Sequence, residues 1–170
     1  MNALEAGLDS VRAAPSREGT LELIACRPAT EERELLDEGL AGDIWAERPS
    51  QRTGAPNPDA QVTVMSARAA ALVSGGDDPD GWAQAGDQFY VDLDLSEENL
   101  PAGSRLDIGE AVLEVTAEPH LGCGKFVKRF GVDALKLVNS AEGRALRLRG
   151  VNTRVVVPGR VAKGDTVRKG

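Results

Sequence analysis

A chain of 170 residues can fill one compact core and is too short for two large ones. With 41% hydrophobic and only 4% aromatic residues, that core must rest on Val, Leu, Ala and Ile. The net charge of −7 and the scarcity of stacking rings argue against nucleic acid, and no apolar run approaches the roughly 20 residues of a membrane span.

Residues 1–19 are mixed and acidic, which predicts a poorly ordered lead-in rather than a secretory signal, followed by one domain over 20–170. Two cysteines in such a chain fit reduced thiols in the cytoplasm. A first strand is expected over 20–26, where Cys26 reads as a small buried hydrophobe. Thr30 is placed to cap a short acidic helix reaching about Glu38, and 39–45 then turns the chain. Residues 50–59 form a loop by composition, broken by Gly54, Pro56 and Pro58.

A strand over 61–65 leads into an Ala-rich helix over 66–73 started by Ser66, and 74–80 is an acidic turn. Residues 89–95 alternate, with Phe89, Val91, Leu93 and Leu95 on one face and Tyr90, Asp92 and Asp94 on the other. That is the pattern of a half-buried strand, with a calcium or magnesium site at the paired aspartates as the weaker reading. Strands at 105–108 and 111–117 flank a Gly109-Glu110 turn. Residues 126–137 read as helical. Residues 144–149 (RALRLR) alternate again, and 150–157 is the most β-branched stretch of the chain. A Pro158-Gly159 turn and a last turn at 163–165 close the fold. Short strands, Gly/Pro turns and a few short helices predict a mainly β domain with a β-barrel or curled sheet.

The stretch 118–131 carries the chemistry. It holds the only histidine, His120, and one of the two cysteines, Cys123, between Gly122 and Gly124. Glycines there leave the sulfur uncrowded and allow φ > 0. Lys125, Lys128 and Arg129 follow closely, and nearby cations favour the thiolate, the reactive form. Up to His120 there are 8 Lys and Arg against 24 Asp and Glu; from Leu121 onward there are 12 against 3. Either the two parts neutralise each other within the fold, or the cations form a rim for an anionic ligand such as a phosphate. His120 either exchanges protons or only hydrogen-bonds a carbonyl. A zinc site would need Cys26, His120 and Cys123 to converge, and the spacing offers no second Cys pair. No phosphate loop of the P-loop or Rossmann type is present.

The run 91–167 resembles the MOSC domain, named for the C-terminal domain of molybdenum cofactor sulfurases. The matching pieces are Glu98-Asn99-Leu100, the strand pair over 105–116, the single Cys123, Phe130-Gly131, the segment 154–161 and Gly164-Asp165. Gly42-Asp43 and 61–64 match more weakly. Two positions depart from the family pattern: Gly122 stands where many members have proline, and Thr153-Arg154 replaces an aromatic–arginine pair.

The resemblance implies a barrel-like fold in which Cys123 sits in a pocket, carrying sulfur as a persulfide or contacting molybdenum in a molybdopterin cofactor. His120 would then move protons, while Asn99, Lys125, Arg129 and Arg154 would bind the cofactor. The chain has no room for the pyridoxal-phosphate domain of the larger sulfurases, so sulfur would come from a partner cysteine desulfurase and pass to a molybdoenzyme or cofactor acceptor. A non-catalytic pterin- or anion-binding regulatory domain, and a molybdenum-dependent reductase of N-hydroxylated compounds, are the competing readings.

Overall fold

A computed structural model describes residues 3–26, 33–41 and 57–170. Ten strands are formed: β1 (Glu18–Cys26), β2 (Glu34–Leu36), β3 (Glu38–Ala41), β4 (Val62–Ser66), β5 (Phe89–Asp92), β6 (Arg105–Ile108), β7 (Ala111–Val115), β8 (Val151–Val157), β9 (Gly159–Ala162) and β10 (Thr166–Lys169). The helices are α1 (Ala3–Ala6), α2 (Leu8–Arg12), α3 (Ala67–Ser74), α4 (Pro79–Ala83), α5 (Gly124–Phe130), α6 (Val132–Asn139) and α7 (Ala141–Ala145).

The strand order β10-β6-β7-β8-β4-β5-β1, together with the β10–β1 pairing, closes a barrel of seven strands. Closure removes the sheet edges that would otherwise invite association. The β4–β5 pair is parallel, so the chain must cross over between them, and α3 and α4 make that crossing. Strand β2 adds to the far end of β1, while β3 and β9 pair separately outside the ring.

Two apolar clusters follow from strand alternation. Leu21, Val64, Val91, Leu106, Leu113, Val151 and Val167 point into the barrel. Leu23, Met65 and Tyr90 point outward, where Leu8, Val11, Ala70, Phe126, Ala134 and Val138 of the helices cover them. The expected polar outer face of β5 is therefore corrected: Tyr90 is fully buried because helices pack on that side. Asp92 pairs with Arg68 at 2.8 Å and Asp94 accepts from the Ser96 N–H, so both aspartates serve the fold. A register shift between Leu21 and Leu23 in β1 explains why Leu21 and Ile24 face inward while Leu23 and Ala25 face the helices.

Local signals explain several elements. Ser66 caps α3, its hydroxyl accepting from the Ala69 N–H, and Gly75 ends the helix at φ +80°. Other stretches depart from expectation. Residues 3–12 are helical, with Leu8 and Val11 buried, because α2 packs on α3. Residues 34–41 form β2 and β3 instead of the end of an acidic helix and a turn, since Leu35 and Leu36 find partners on β1 and Gly39–Leu40 on β9. Thr30, Gly42, Asp43 and the loop up to Pro56 lie outside the described residues. The alternating 144–149 stretch is the end of α7 and a turn, set by the Ser140 cap before it and by Arg147 at φ +50°. No helix among the described residues is long and apolar enough to cross a membrane.

Leu113 is fully buried inside the barrel. Leu113→Ala is expected to cost about 2–5 kcal/mol in urea unfolding, whereas Val157→Ala, at a 45% exposed position, should change stability by less than about 0.5 kcal/mol.

Candidate functional site

After β7 the chain runs without regular structure from Thr116 to Cys123, across the end of the barrel beside β8. Two asparagines pin this arm. Asn152 of β8 donates to the carbonyls of Glu118 (3.2 Å) and Pro119 (3.1 Å). Asn139, the last residue of α6, accepts from the Gly122 N–H at 2.9 Å and donates to its carbonyl at 3.1 Å. The carboxamide suits this task because it offers a donor and an acceptor side by side.

Gly122 is required by close packing: a Cβ there would lie 2.7 Å from Leu135 Cδ1. Neither glycine flanking Cys123 has a positive φ, so the expected left-handed backbone is not the reason for them; Gly124 is simply open. Gly150 is the position where positive φ matters, at +110°, and a Cβ there would approach Val64 O to 2.5 Å and His120 Cδ2 to 3.3 Å.

Behind the arm sits a buried carboxylate. Asp87 Oδ1 lies 2.8 Å from His120 Nε2, and Asp87 Oδ2 lies 2.5 Å from Arg149 Nη1. Arg149 also donates from Nη2 to the Ala85 carbonyl at 2.8 Å, and its guanidinium rests over the Phe126 ring, 5.5 Å from the centroid. Burial alone would raise the Asp87 carboxyl, but the Arg149 and His120 charges beside it prevail and hold it well below the usual carboxylate range. Asp87 is therefore ionised, which makes His120 Nε2 the donor to it.

Cys123 is exposed and stands just before α5. It makes no regular capping hydrogen bond. Partial burial acts to raise the thiol, yet the Phe126 and Lys125 N–H groups and the Arg149 and Arg129 charges outweigh this and lower it. Cys26 behaves oppositely. Burial, and then Glu34, whose carboxylate oxygen is 3.8 Å from the sulfur, push its thiol up.

A cavity of about 230 Å³ opens beside Cys123 and is lined by His120, Lys125, Phe126, Arg129 and Arg149 among others. Four of the expected residues, Cys123, His120, Lys125 and Arg129, thus meet in one place. Two do not line it. Asn99 spends its amide on the Ser16 and Asp94 carbonyls and accepts from Lys169. Arg154 pairs with Glu114 at 2.6 Å and lines a different surface hollow. Asp87 and Arg149 escaped the sequence reading, because nothing local marks residues that meet across 33 and 62 positions.

A family model described as the MOSC domain matches residues 49–168. No match is found among curated proteins. Similar crystal structures include the YuaD protein from Bacillus subtilis, at 17% identity and a TM-score of 0.58 over 88% of this chain and 94% of that one. YiiM from Escherichia coli is 17% identical with a TM-score of 0.56, covering 90% of this chain and 69% of its own. YiiM from Geobacillus stearothermophilus is 14% identical with a TM-score of 0.56, covering 92% and 74%. At these identities the likeness is one of fold.

Two outcomes are expected from this geometry. Alkylation of the native protein followed by peptide mapping should label Cys123 first, with its rate rising at lower pH than that of Cys26; equal profiles would contradict the site. Asp87→Asn leaves Arg149 buried without its counter-ion and should cost about 3–5 kcal/mol near pH 7. Because the folded carboxyl is lowered, its contribution is full above the unfolded value of about 3.9 and is lost as pH falls below it. The gap between wild type and variant in urea unfolding should therefore narrow on acidification below about pH 4.

Proposed function

The chain belongs to the MOSC domain family, and on that premise we propose that it is a sulfur carrier whose Cys123 takes up sulfane sulfur and delivers it at a molybdenum-cofactor-type site. The observation that carries this reading is the exposed Cys123, its thiol lowered, at the mouth of a cavity lined by Lys125, Arg129 and Arg149. A thiol that only fills a core has no use for exposure or for a cationic surround.

The chemistry is a thiol–persulfide exchange. The Cys123 thiolate attacks the outer sulfur of a donor persulfide on a cysteine desulfurase. The donor's S–S bond breaks, its inner sulfur leaves as thiolate, and Cys123 ends as a persulfide with no net oxidation. Lys125, Arg129 and Arg149 favour the attacking anion. His120, held through Nε2 by Asp87, holds or releases a proton at Nδ1 as the sulfur moves on. Cytoplasmic thiols stay reduced, which suits such a carrier.

The donor set also fits the family's cofactor. A thiolate is a soft ligand of the kind a sulfur-rich metal centre takes, and Lys125 and Arg129 suit an anion. A molybdenum-pterin cofactor bound there would supply a metal that accepts sulfur, with Cys123 as its protein contact. The cavity at Cys123 falls short of the roughly 300–1,000 Å³ of ordinary small-molecule sites. A second cavity of about 310 Å³ adjoins it, with His120, Leu121 and Arg149 in both linings.

Protein incubated with a pyridoxal-phosphate-dependent desulfurase and cysteine should gain one sulfur atom on the Cys123 peptide. Cys123→Ser should abolish this and Cys26→Ser should not. Sulfur on Cys26, or none on either residue, would overturn the proposal. Stoichiometric molybdenum in protein from a molybdenum-competent host, lost in Cys123→Ser without any persulfide, would move the assignment to a cofactor-dependent reductase. Neither sulfur nor metal would leave a binding domain.

A further inference from the structure

The Arg-Ala-Leu-Arg-Leu-Arg stretch, 144–149, has no part in the sulfur chemistry beyond Arg149, yet all three of its arginines line the second cavity. Each guanidinium is tethered by backbone carbonyls. Arg144 donates from Nε to Asn139 O at 3.0 Å, Arg147 donates from Nη1 to Leu95 O at 3.3 Å and also to Leu100 O, and Arg149 donates to Ala85 O. A neutral carbonyl fixes a guanidinium without cancelling its charge, and the forks of Arg144 and Arg147 keep further N–H groups for another partner, whereas Arg149 also pairs with the buried Asp87. Arg147 holds this place from a backbone at φ +50°, a conformation costly for a residue with a side chain. Its half-buried cation is drawn below its ordinary value by desolvation, which Glu97 only partly offsets. Carboxylates are present too, but Glu97 and Glu118 are exposed and form the lip, where solvent and salt screen them. Arg147 and Arg149 form the half-buried interior, Arg149 paired there with Asp87, and Arg144 shares the exposed rim with Glu97 and Glu118.

We propose that this second cavity is an oxyanion subsite, which holds the phosphate or carboxylate of the small-molecule sulfur acceptor while its reacting end lies in the Cys123 cavity. The two spaces share His120, Leu121 and Arg149 in their linings, which sets them side by side. Planar forks recognise either oxyanion. The identity of the bound species as a sulfur acceptor rests on the carrier reading above; the presence of an oxyanion site does not.

Calorimetric titration with inorganic phosphate and, separately, with acetate tests the subsite. Wild type should bind at least one of them saturably, the preferred probe identifying the acceptor's anionic group. Arg144→Gln, at an exposed position, should weaken that binding about tenfold or more, and Arg147→Lys, which keeps the charge but loses the fork, should do the same under conditions where its unfolding curve shows the variant fully folded. Arg168→Gln, paired far along the chain with Glu18, should bind as wild type. Cys123→Ser should also bind as wild type. Sulfur uptake that fails while this pattern holds therefore sinks the carrier reading and leaves the subsite standing. The subsite is overturned if neither probe binds, if Arg144→Gln and Arg147→Lys bind like wild type, or if Lys125→Ala alone loses binding, which would put the anion at Cys123.

Discussion

A single buried carboxylate organises this end of the barrel. Asp87 has no exposed side-chain surface, so its charge is tolerable only because His120 and Arg149 face its two oxygens. Those partners come from separate parts of the chain: Asp87 from the link between α4 and β5, His120 from the irregular arm, Arg149 from the turn before β8. Arg149 also lies over Phe126 in the first turn of α5, immediately after Cys123. One ion cluster thus ties the crossover, the arm and the cysteine-bearing helix together. A hydrophobic cluster of equal volume would hold them as firmly, but it would not orient an imidazole or place a guanidinium beside a thiol.

The barrel matters to the chemistry as a rigid support. β7 and β8 are paired along most of their length, and the arm that leaves β7 is stitched back to β8 by Asn152. The Cys123 loop is therefore irregular in backbone yet fixed at both ends, by Asn152 behind and Asn139 ahead. Gly122 and Gly150 are the positions where a Cβ would push the arm off its support. Loops fixed in this way carry function because the scaffold bears the cost of ordering them.

Much of this was legible from residues. The strands β6 to β8, the Ser66 cap and the Cys123 loop with its lysines follow from local pattern, and the order of the segments 98–100, 105–116, Cys123, 130–131, 154–161 and 164–165 points to the MOSC domain. Three kinds of feature were not legible. Charge partners such as Asp87 and Arg149 leave no local trace, since only the closed barrel brings them together. Alternation misled at 144–149, where a capped helix end and a left-handed Arg147 replaced a strand, and at β5, where helices bury the face that looked polar. Acidic residues at 31–38 suggested a helix, but β1 offered Leu35 and Leu36 a paired edge, and tertiary pairing outweighs a weak propensity.

The charge asymmetry also resolves into two roles once the topology is known. Barrel closure lays β10 against β1 in antiparallel register, so the basic end of the chain meets its acidic beginning. Arg168 pairs with Glu18, Arg160 with Glu38 and Arg154 with Glu114. These pairs are half or more exposed on the arginine side and contribute little stability, about 0–1 kcal/mol each. Arg144, Arg147, Arg149, Lys125 and Arg129 instead gather at the two cavities, with Arg149 held against the buried Asp87. Cations that served only to neutralise the acidic part would be spread over its surface. Their convergence around one thiol and the space beside it sets them apart from the scattered pairs along the strands.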